Sequence, residues 1–337
     1  MTAHVETMAY AGETPWHGLG IPVDNDISVG DMLEKAGLNW TVSKRPLYFP
    51  KVVADGAPSK LRIVPDEFAL VRDNDEMVLD TVGPSFKPVQ NSDIFSFFKR
   101  FVEAGDMHME TAGSLKGGRF IWALARIDTG FNLGNDETRG YLLLSSPHQF
   151  GFSLTVALTP VRVVCWNTIN YALGRSLDGS NGNTSARFRM VHSRDFNDQV
   201  KAEAELALGL AGEQMKEYGH IAELLSSRVA KEADTFDFFR SVLRIEETED
   251  DTEEAAAQAA EEDNRRMRRL KEALATAPGQ NLDSSRDTWW GAYNAVTYVV
   301  DHEAGRTQDN RLFSAWYGQG SATKRRALEL AVEFAGA

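Results

Sequence analysis

Hydrophobic positions along this chain change their period twice before residue 130. From Leu47 to Gln90 they come in short runs, Leu47–Val53, Phe68–Arg72 and Met77–Val82, broken by Asp55-Gly56, Asp73-Asn74-Asp75 and Gly83-Pro84. Runs of that length between such turn signals predict a meander of strands. Between Asn91 and Glu103 the spacing lengthens. Ile94, Phe97, Phe98 and Phe101 fall three, four and seven apart, one face of a helix capped by Asn91 or Ser92. The shorter period then returns: Met107–Leu115 and Arg119–Ile127 flank Lys116-Gly117-Gly118, and Tyr141–Ser145 and Phe152–Leu158 follow. This predicts a β-hairpin extended into an antiparallel sheet of four or five strands. Ahead of these elements, Val29–Ala36 predicts a short helix, and Pro15-Trp16-His17-Gly18-Leu19-Gly20 a tight turn pinned by its Trp.

The stretch Thr159–Leu173 closes the sheet. Val161, Val163 and Val164 are β-branched and favour a strand, while Asn167 can cap a helix running to Leu173, so a strand-to-helix turn is expected at Cys165–Asn167. After a loop at Asp178–Ser185, Ala186–Val191 predicts one more strand. The remainder is helical by pattern. Asp195–Ser226 carries Val200, Leu206, Leu210, Met215, Tyr218, Ile221 and Leu225, and Thr235–Leu243 is rich in Phe. An acidic tract then merges into Arg265, Arg266, Arg268, Arg269 and Lys271 on a helix with few large apolar residues. Ser284 and Asp287 read as a capping box before a helix whose Trp289, Tyr293, Val296 and Val300 share a face; Trp290, Asn294 and Asp301 share another, suited to bonding across to a neighbouring helix. A last helix starts near Ser321. The expected fold is α+β, a curved antiparallel sheet with packed helices in the N-terminal two-thirds and a helical C-terminal third. The expected divisions are a sheet domain at 1–192, helices packed on it at 193–244, a charged arm or spacer at 245–280 and a helical region at 281–337.

With 337 residues, of which 42% are hydrophobic, the chain can bury a substantial core. No apolar run reaches membrane-spanning length and the N-terminus lacks the pattern of a secretory signal, so a cytoplasmic protein is expected. The net charge of −13 is unevenly spread: ten of the Asp and Glu residues lie between Glu246 and Asp263 with no Lys or Arg among them. Between Arg139 and Arg194, by contrast, six Arg face one acid, Asp178. A basic surface can therefore coexist with an acidic total.

Cys165 is the only cysteine, which excludes an internal disulfide framework. As a thiolate it would need a base, and His148 or His192 could serve; a small apolar residue in the core is the commoner role for a free cysteine. The seven histidines form no His-Glu-x-x-His pair, and no metal site or cofactor is expected. There is no Walker loop and no Gly-x-Gly-x-x-Gly; Gly318–Lys324, a Gly-rich turn opening a helix, is the nearest phosphate-binding substitute. The arginines form the more informative pattern. Alternation puts Arg187 and Arg189 on one side of a strand and Arg162 on the face of Val164 and Trp166, while Lys116 and Arg119 sit at a hairpin tip. Cations beside Phe150, Phe152, Trp166 and Phe188 suit single-stranded nucleic acid, where charges follow phosphates and flat rings stack on bases.

Five sets of motifs stand along the chain: Glu6–Tyr10 with Pro15–Gly20, Glu110–Leu115 followed by Gly117-Gly118-Arg119, Arg162 with Cys165-Trp166-Asn167-Thr168, Thr288-Trp289 with Asn294–Thr297 and Asp301-His302, and Trp316 and Gly318 before Lys324. Together they resemble the phage/plasmid-like family catalogued as domain of unknown function 932. The resemblance implies a mobile-element origin and a cytoplasmic setting, and supplies no activity or catalytic residues. The function expected from the residues is single-stranded DNA binding, extending to strand annealing, in phage or plasmid DNA metabolism. It is loosely similar to the RecT-type annealing proteins. The expected contacts are Lys116, Arg119, Arg162, Trp166, Asn167, Arg187 and Arg189, on a homo-oligomer. The alternatives are a hydrolase or transferase using Cys165 with His192 or His148, and a non-enzymatic interaction protein whose acidic arm at 246–263 docks a basic partner.

Overall fold

The computed structural model describes residues 5–12, 20–52, 58–103, 107–163, 167–168, 187–209, 211–244, 253–303, 314 and 319–336. Cys165, Trp166, the Trp16 turn, the Asp178–Ser185 loop, the acids of 246–252, Trp316 and Gly318 lie outside these residues, as do the side chains of Asn167 and Arg187. The elements follow in order: β1 (Val5–Ala11), β2 (Ile21–Val23), α1 (Val29–Lys35), β3 (Val42–Val52), β4 (Pro58–Arg72), β5 (Met77–Val82), α2 (Asn91–Glu103), β6 (Met107–Leu115), β7 (Phe120–Leu133), β8 (Asp136–Pro147), β9 (Leu154–Arg162), β10 (Asn167–Thr168) and β11 (Arg187–Met190). Helices α3 (Asp198–Gly209), α4 (Ala211–Ser227), α5 (Glu232–Leu243), α6 (Glu253–Thr276) and α7 (Trp289–Tyr298), a π-helical turn at Val299–Glu303 and a C-terminal helix at Gln319–Phe334 complete it. The fold is α+β.

The described strands form an eight-stranded sheet in the order β10-β9-β8-β7-β6-β1-β2, with β11 also on β9, and a separate three-stranded sheet β3-β4-β5. Two strands at the N-terminus were not foreseen. β1 pairs antiparallel with β6 and parallel with β2, as in Ala9↔Ile21. The stretch after β9 also departs from expectation. Asn167 does not cap a helix; Asn167 and Thr168 pair antiparallel with Arg162 and Val161, because the edge of β9 offers backbone groups that a returning strand can bond.

The chain divides into two compact units, one of 1–127, 142–157 and 187–209, the other of 128–141, 158–186 and 210–337. The sequence-based divisions fall instead at 192, 244 and 280. In the first unit α2 buries Ile94, Phe97 and Phe98, which the spacing that predicted the helix put on one face, and also Phe95, which that spacing did not include. Burying each such side chain contributes about 1.5–3 kcal/mol. α1 is capped by Ser28, whose hydroxyl accepts from the Asp31 amide at 3.1 Å. The turn between β6 and β7 needs left-handed backbone, which glycine adopts at no steric cost: Gly117 and Gly118 have positive φ, as does Lys116 before them, and a Cβ on Gly118 would stand 2.9 Å from the Arg72 guanidinium.

The second unit has an aromatic helical core of Tyr218, Phe238, Phe239, Trp289, Trp290 and Tyr293. α6, expected as a solvated arm, buries Leu270 and Ala273 in that core and leaves Arg265, Arg266, Arg268 and Arg269 exposed. Its C-terminal half is thus part of the packed unit. The cap of α7 is Thr288, whose hydroxyl accepts from the Gly291 amide at 3.2 Å. Ser284, the expected cap, is used elsewhere.

Candidate functional site

The β6–β7 turn brings the first expected contacts together in the first unit. Its positive-φ backbone lifts Lys116 so that its ammonium stands 5.5 Å from the Phe120 ring centroid, and Phe120 meets Phe152 edge-on at 4.9 Å. The Arg119 carbonyl accepts from the His148 amide at 2.6 Å. Two residues beyond His148, Phe150 is 69% exposed, its amide held by Asp80 at 2.7 Å. The ring of Phe150 thus lies in water two residues from His148, which is bonded to the turn, and Lys116 and Arg119 of that turn are half-buried. On β11, Arg189 is exposed opposite Thr155 while Phe188 and Met190 are buried, so strand alternation holds there and Phe188 belongs to the core.

Arg162 is placed differently. The expected outward side chain is fully buried in the second unit, bonded through Nε and Nη2 to the two oxygens of Asp136, both at 2.7 Å. Nη2 also donates to the Ser285 hydroxyl at 2.6 Å and the Gly279 carbonyl at 3.1 Å. Asp136 accepts further bonds from the Ser284 hydroxyl at 2.7 Å and the Trp290 indole at 3.0 Å. A bidentate pair whose carboxylate accepts further bonds from Ser284 and Trp290 is how a buried ion pair becomes tolerable. Arg162 therefore does not present its charge to a ligand. Its cover comes from Asp136 and the Gly279–Ser285 loop, distant in sequence, and Val164 and Trp166, expected on its face, lie outside the described residues. The paired serines were the available signal, and reading Ser284 as a helix cap hid it.

Lys324 corrects the phosphate-loop reading in the same way. It is buried and donates to Asp301 at 2.7 Å, so its ammonium faces a carboxylate inside the unit. Burial pushes its pKa down while Asp301 opposes the shift. Asp301 thus bonds across to another helix, as its place beside Asn294 suggested. Near this network lies a cleft of about 620 Å³ lined in part by Phe236, Lys271, Gln280, Ser285, Arg286 and Thr288. Glu232 and Asp287 in its lining offset Lys271 and Arg286, which leaves the cleft without a charge preference.

The two candidate bases belong to the interior of the first unit. His148 is fully buried, with Nε2 3.0 Å from Asn91 Oδ1. Asn91 donates its own amide to the Leu38 carbonyl at 2.9 Å, so its oxygen accepts and His148 carries its proton on Nε2. Burial, with a smaller contribution from His192, lowers the His148 pKa to about 3. His192 stacks on Phe86 at 4.6 Å, donates through Nδ1 to the Lys87 carbonyl at 3.2 Å, and is also shifted down by burial. Each is packed and bonded as a structural histidine would be. Cys165, Trp166 and the side chains of Asn167 and Arg187 lie outside the described residues. Among the described residues no group of three or more His, Cys, Asp or Glu side chains is arranged to hold a metal ion. No helix among them is long and apolar enough to cross a membrane.

Comparison with known families bears on the chain that carries this geometry. The family model described as Domain of unknown function (DUF932) matches residues 78–316, and the chain belongs to that family. No curated protein and no solved structure matches it.

Proposed function

We propose that the protein binds single-stranded DNA, and that it does so, as a homo-oligomer, in the strand metabolism of a phage or plasmid. The observation that carries the reading is Phe150, 69% exposed and two residues beyond His148, whose amide bonds the Arg119 carbonyl at the hairpin tip that holds Lys116. A ring of that kind stacks on bases of any identity, and the neighbouring cations follow the phosphates, which gives affinity without sequence preference. Arg189, exposed on β11, adds a further cation in the same unit. Strand annealing follows naturally from such binding when two copies of the protein hold complementary strands with their bases accessible.

Fluorescence anisotropy with an oligothymidylate at low salt tests the reading. Binding that weakens as salt rises is expected. Phe150→Ala should weaken it roughly tenfold, within the range for loss of one stacked base, without lowering the melting temperature. Micromolar protein that leaves the oligonucleotide unbound at low salt sinks the proposal.

A further inference from the structure

Beyond Pro46 the β3–β4 pair extends past the three-stranded sheet. β5 pairs with β4 only from Phe68 to Arg72. The β3–β4 register then jumps from Pro46↔Phe68 to Tyr48↔Ile63, so Val64–Glu67 bulge out of the ladder, with Asp66 at a φ of 58°. What continues is a ribbon of two strands carrying the pairs Tyr48↔Ile63, Phe49↔Arg62 and Pro50↔Leu61. Directly opposed residues share a face, and so do residues two apart on one strand. In this regular stretch one face therefore carries Tyr48, Pro50, Leu61 and Ile63, and the other Phe49 and Arg62 with Lys60 two residues from it, before the register shifts again between Pro50 and Val52. Both are open to solvent: Tyr48 is 56% exposed, Leu61 66%, Ile63 55% and Phe49 46%.

A two-stranded hairpin with large apolar residues in water is marginal by itself, so its composition calls for something that it meets. Charge indicates what. From Leu47 to Ile63 there are three cations and a single acid, Asp55. Closer to the sheet, Arg45 on the same β3 strand is paired with Asp73 and Glu76, each at 3.1 Å. Lys60 and Arg62 are exposed and form no ion pair among the described residues. Phe49 stands directly opposite Arg62, which puts a stacking surface and a phosphate-binding charge in one step of the ladder.

We propose that the basic face of this ribbon, Phe49 with Lys60 and Arg62, is a second contact surface for single-stranded nucleic acid. Phe49 stacks on a base while the cations bind the flanking phosphates. This rests on the DNA-binding reading above and adds a site to it. The ribbon precedes the residues matched by the family model, which begin at 78, so the assignment owes nothing to the family.

The test uses the full chain and anisotropy titrations of a fluorescein-labelled oligothymidylate at several salt concentrations. Lys60→Glu with Arg62→Glu should weaken binding at least about tenfold at low salt. It should also flatten the dependence of log K on log salt by about 1.4, since each lost single-strand phosphate contact removes about 0.7. Phe49→Ala should weaken binding roughly five- to a hundredfold and leave that slope unchanged. All these side chains are in solvent, so circular dichroism and melting temperature should match the parent. If the parent binds and these variants bind with its affinity and slope, the ribbon proposal is wrong while the reading of the Phe150 patch stands. If the parent does not bind, both fall. If Tyr48→Ala with Ile63→Thr changes the elution volume while the basic-face variants leave DNA binding intact, the ribbon is a protein contact and the proposal is overturned.

Discussion

Arg162 and Arg189 both lie on strands, both alternate with apolar neighbours, and the same reading of strand period placed both on an outward face. The structure leaves Arg189 in water and buries Arg162 completely. The difference is not in the strands. Arg162 meets Asp136, Ser285 and the Gly279 carbonyl, groups supplied from 26 to 123 residues away in sequence. A period of two says which side a residue takes; what covers that side is decided by chain that the local pattern does not contain.

The comparison can be broken most forcefully at its buried member. Arg162→Leu should cost about 3–5 kcal/mol by leaving Asp136 charged and unpaired inside the unit. Urea titrations would show the midpoint falling, and Arg162→Leu combined with Asp136→Leu should recover much of the loss. A single variant as stable as the parent would mean that the pair is not buried. A second, smaller effect comes from His148, buried with no ion-pair partner among the described residues. Its pKa in the folded chain, about 3, lies below the ordinary 6.5, so the fold favours its neutral form. The stability it contributes is full above about pH 6.5 and is lost as the pH falls toward 3, by about 1.4 kcal/mol per unit. Melting curves at pH 7 and 5 should show the drop, and His148→Gln should reduce it; equal drops would assign acid sensitivity elsewhere. The smallest effect is expected at the exposed member. Arg189→Glu should leave the melting temperature within a degree or so, as surface changes do, and weaken DNA binding only several-fold. A large loss of stability there would erase the contrast with Arg162.

Much of the fold could be read from local pattern. The observed limits of β5, β6 and α2 are the ones that the hydrophobic runs predict, although Asn91, read as a possible cap, is instead the first residue of α2 and commits its side chain to Leu38 and His148. β9 was less legible. Pro160 suggests a break between Phe152–Leu158 and the valines after it, yet the strand runs through it to Arg162. Along one edge of β9 the described pairing ends at Ala157 with β11 and resumes at Val161 with β10, and Pro160 stands in that interval. The parallel pairing of β1 with β2 and the Arg162 network were out of reach because each depends on distant partners. Of the candidate site, Lys116, Arg119 and Arg189 followed from turn chemistry and alternation. The β3–β4 ribbon did not: Leu47–Val53 was read as a strand, but its two faces appear only once the pairing with β4 is known.

The bulge at Val64–Glu67 separates the growth of the ribbon from the integrity of the sheet. Residues on the sheet side are committed to β5, whereas those beyond Tyr48 pair only with one another. Lengthening both strands by two residues would carry the tip about 7 Å farther, at about 3.4 Å per residue, and return every side chain to its original face. Reach is therefore a quantity that the chain can adjust in steps of two without altering the fold that supports it.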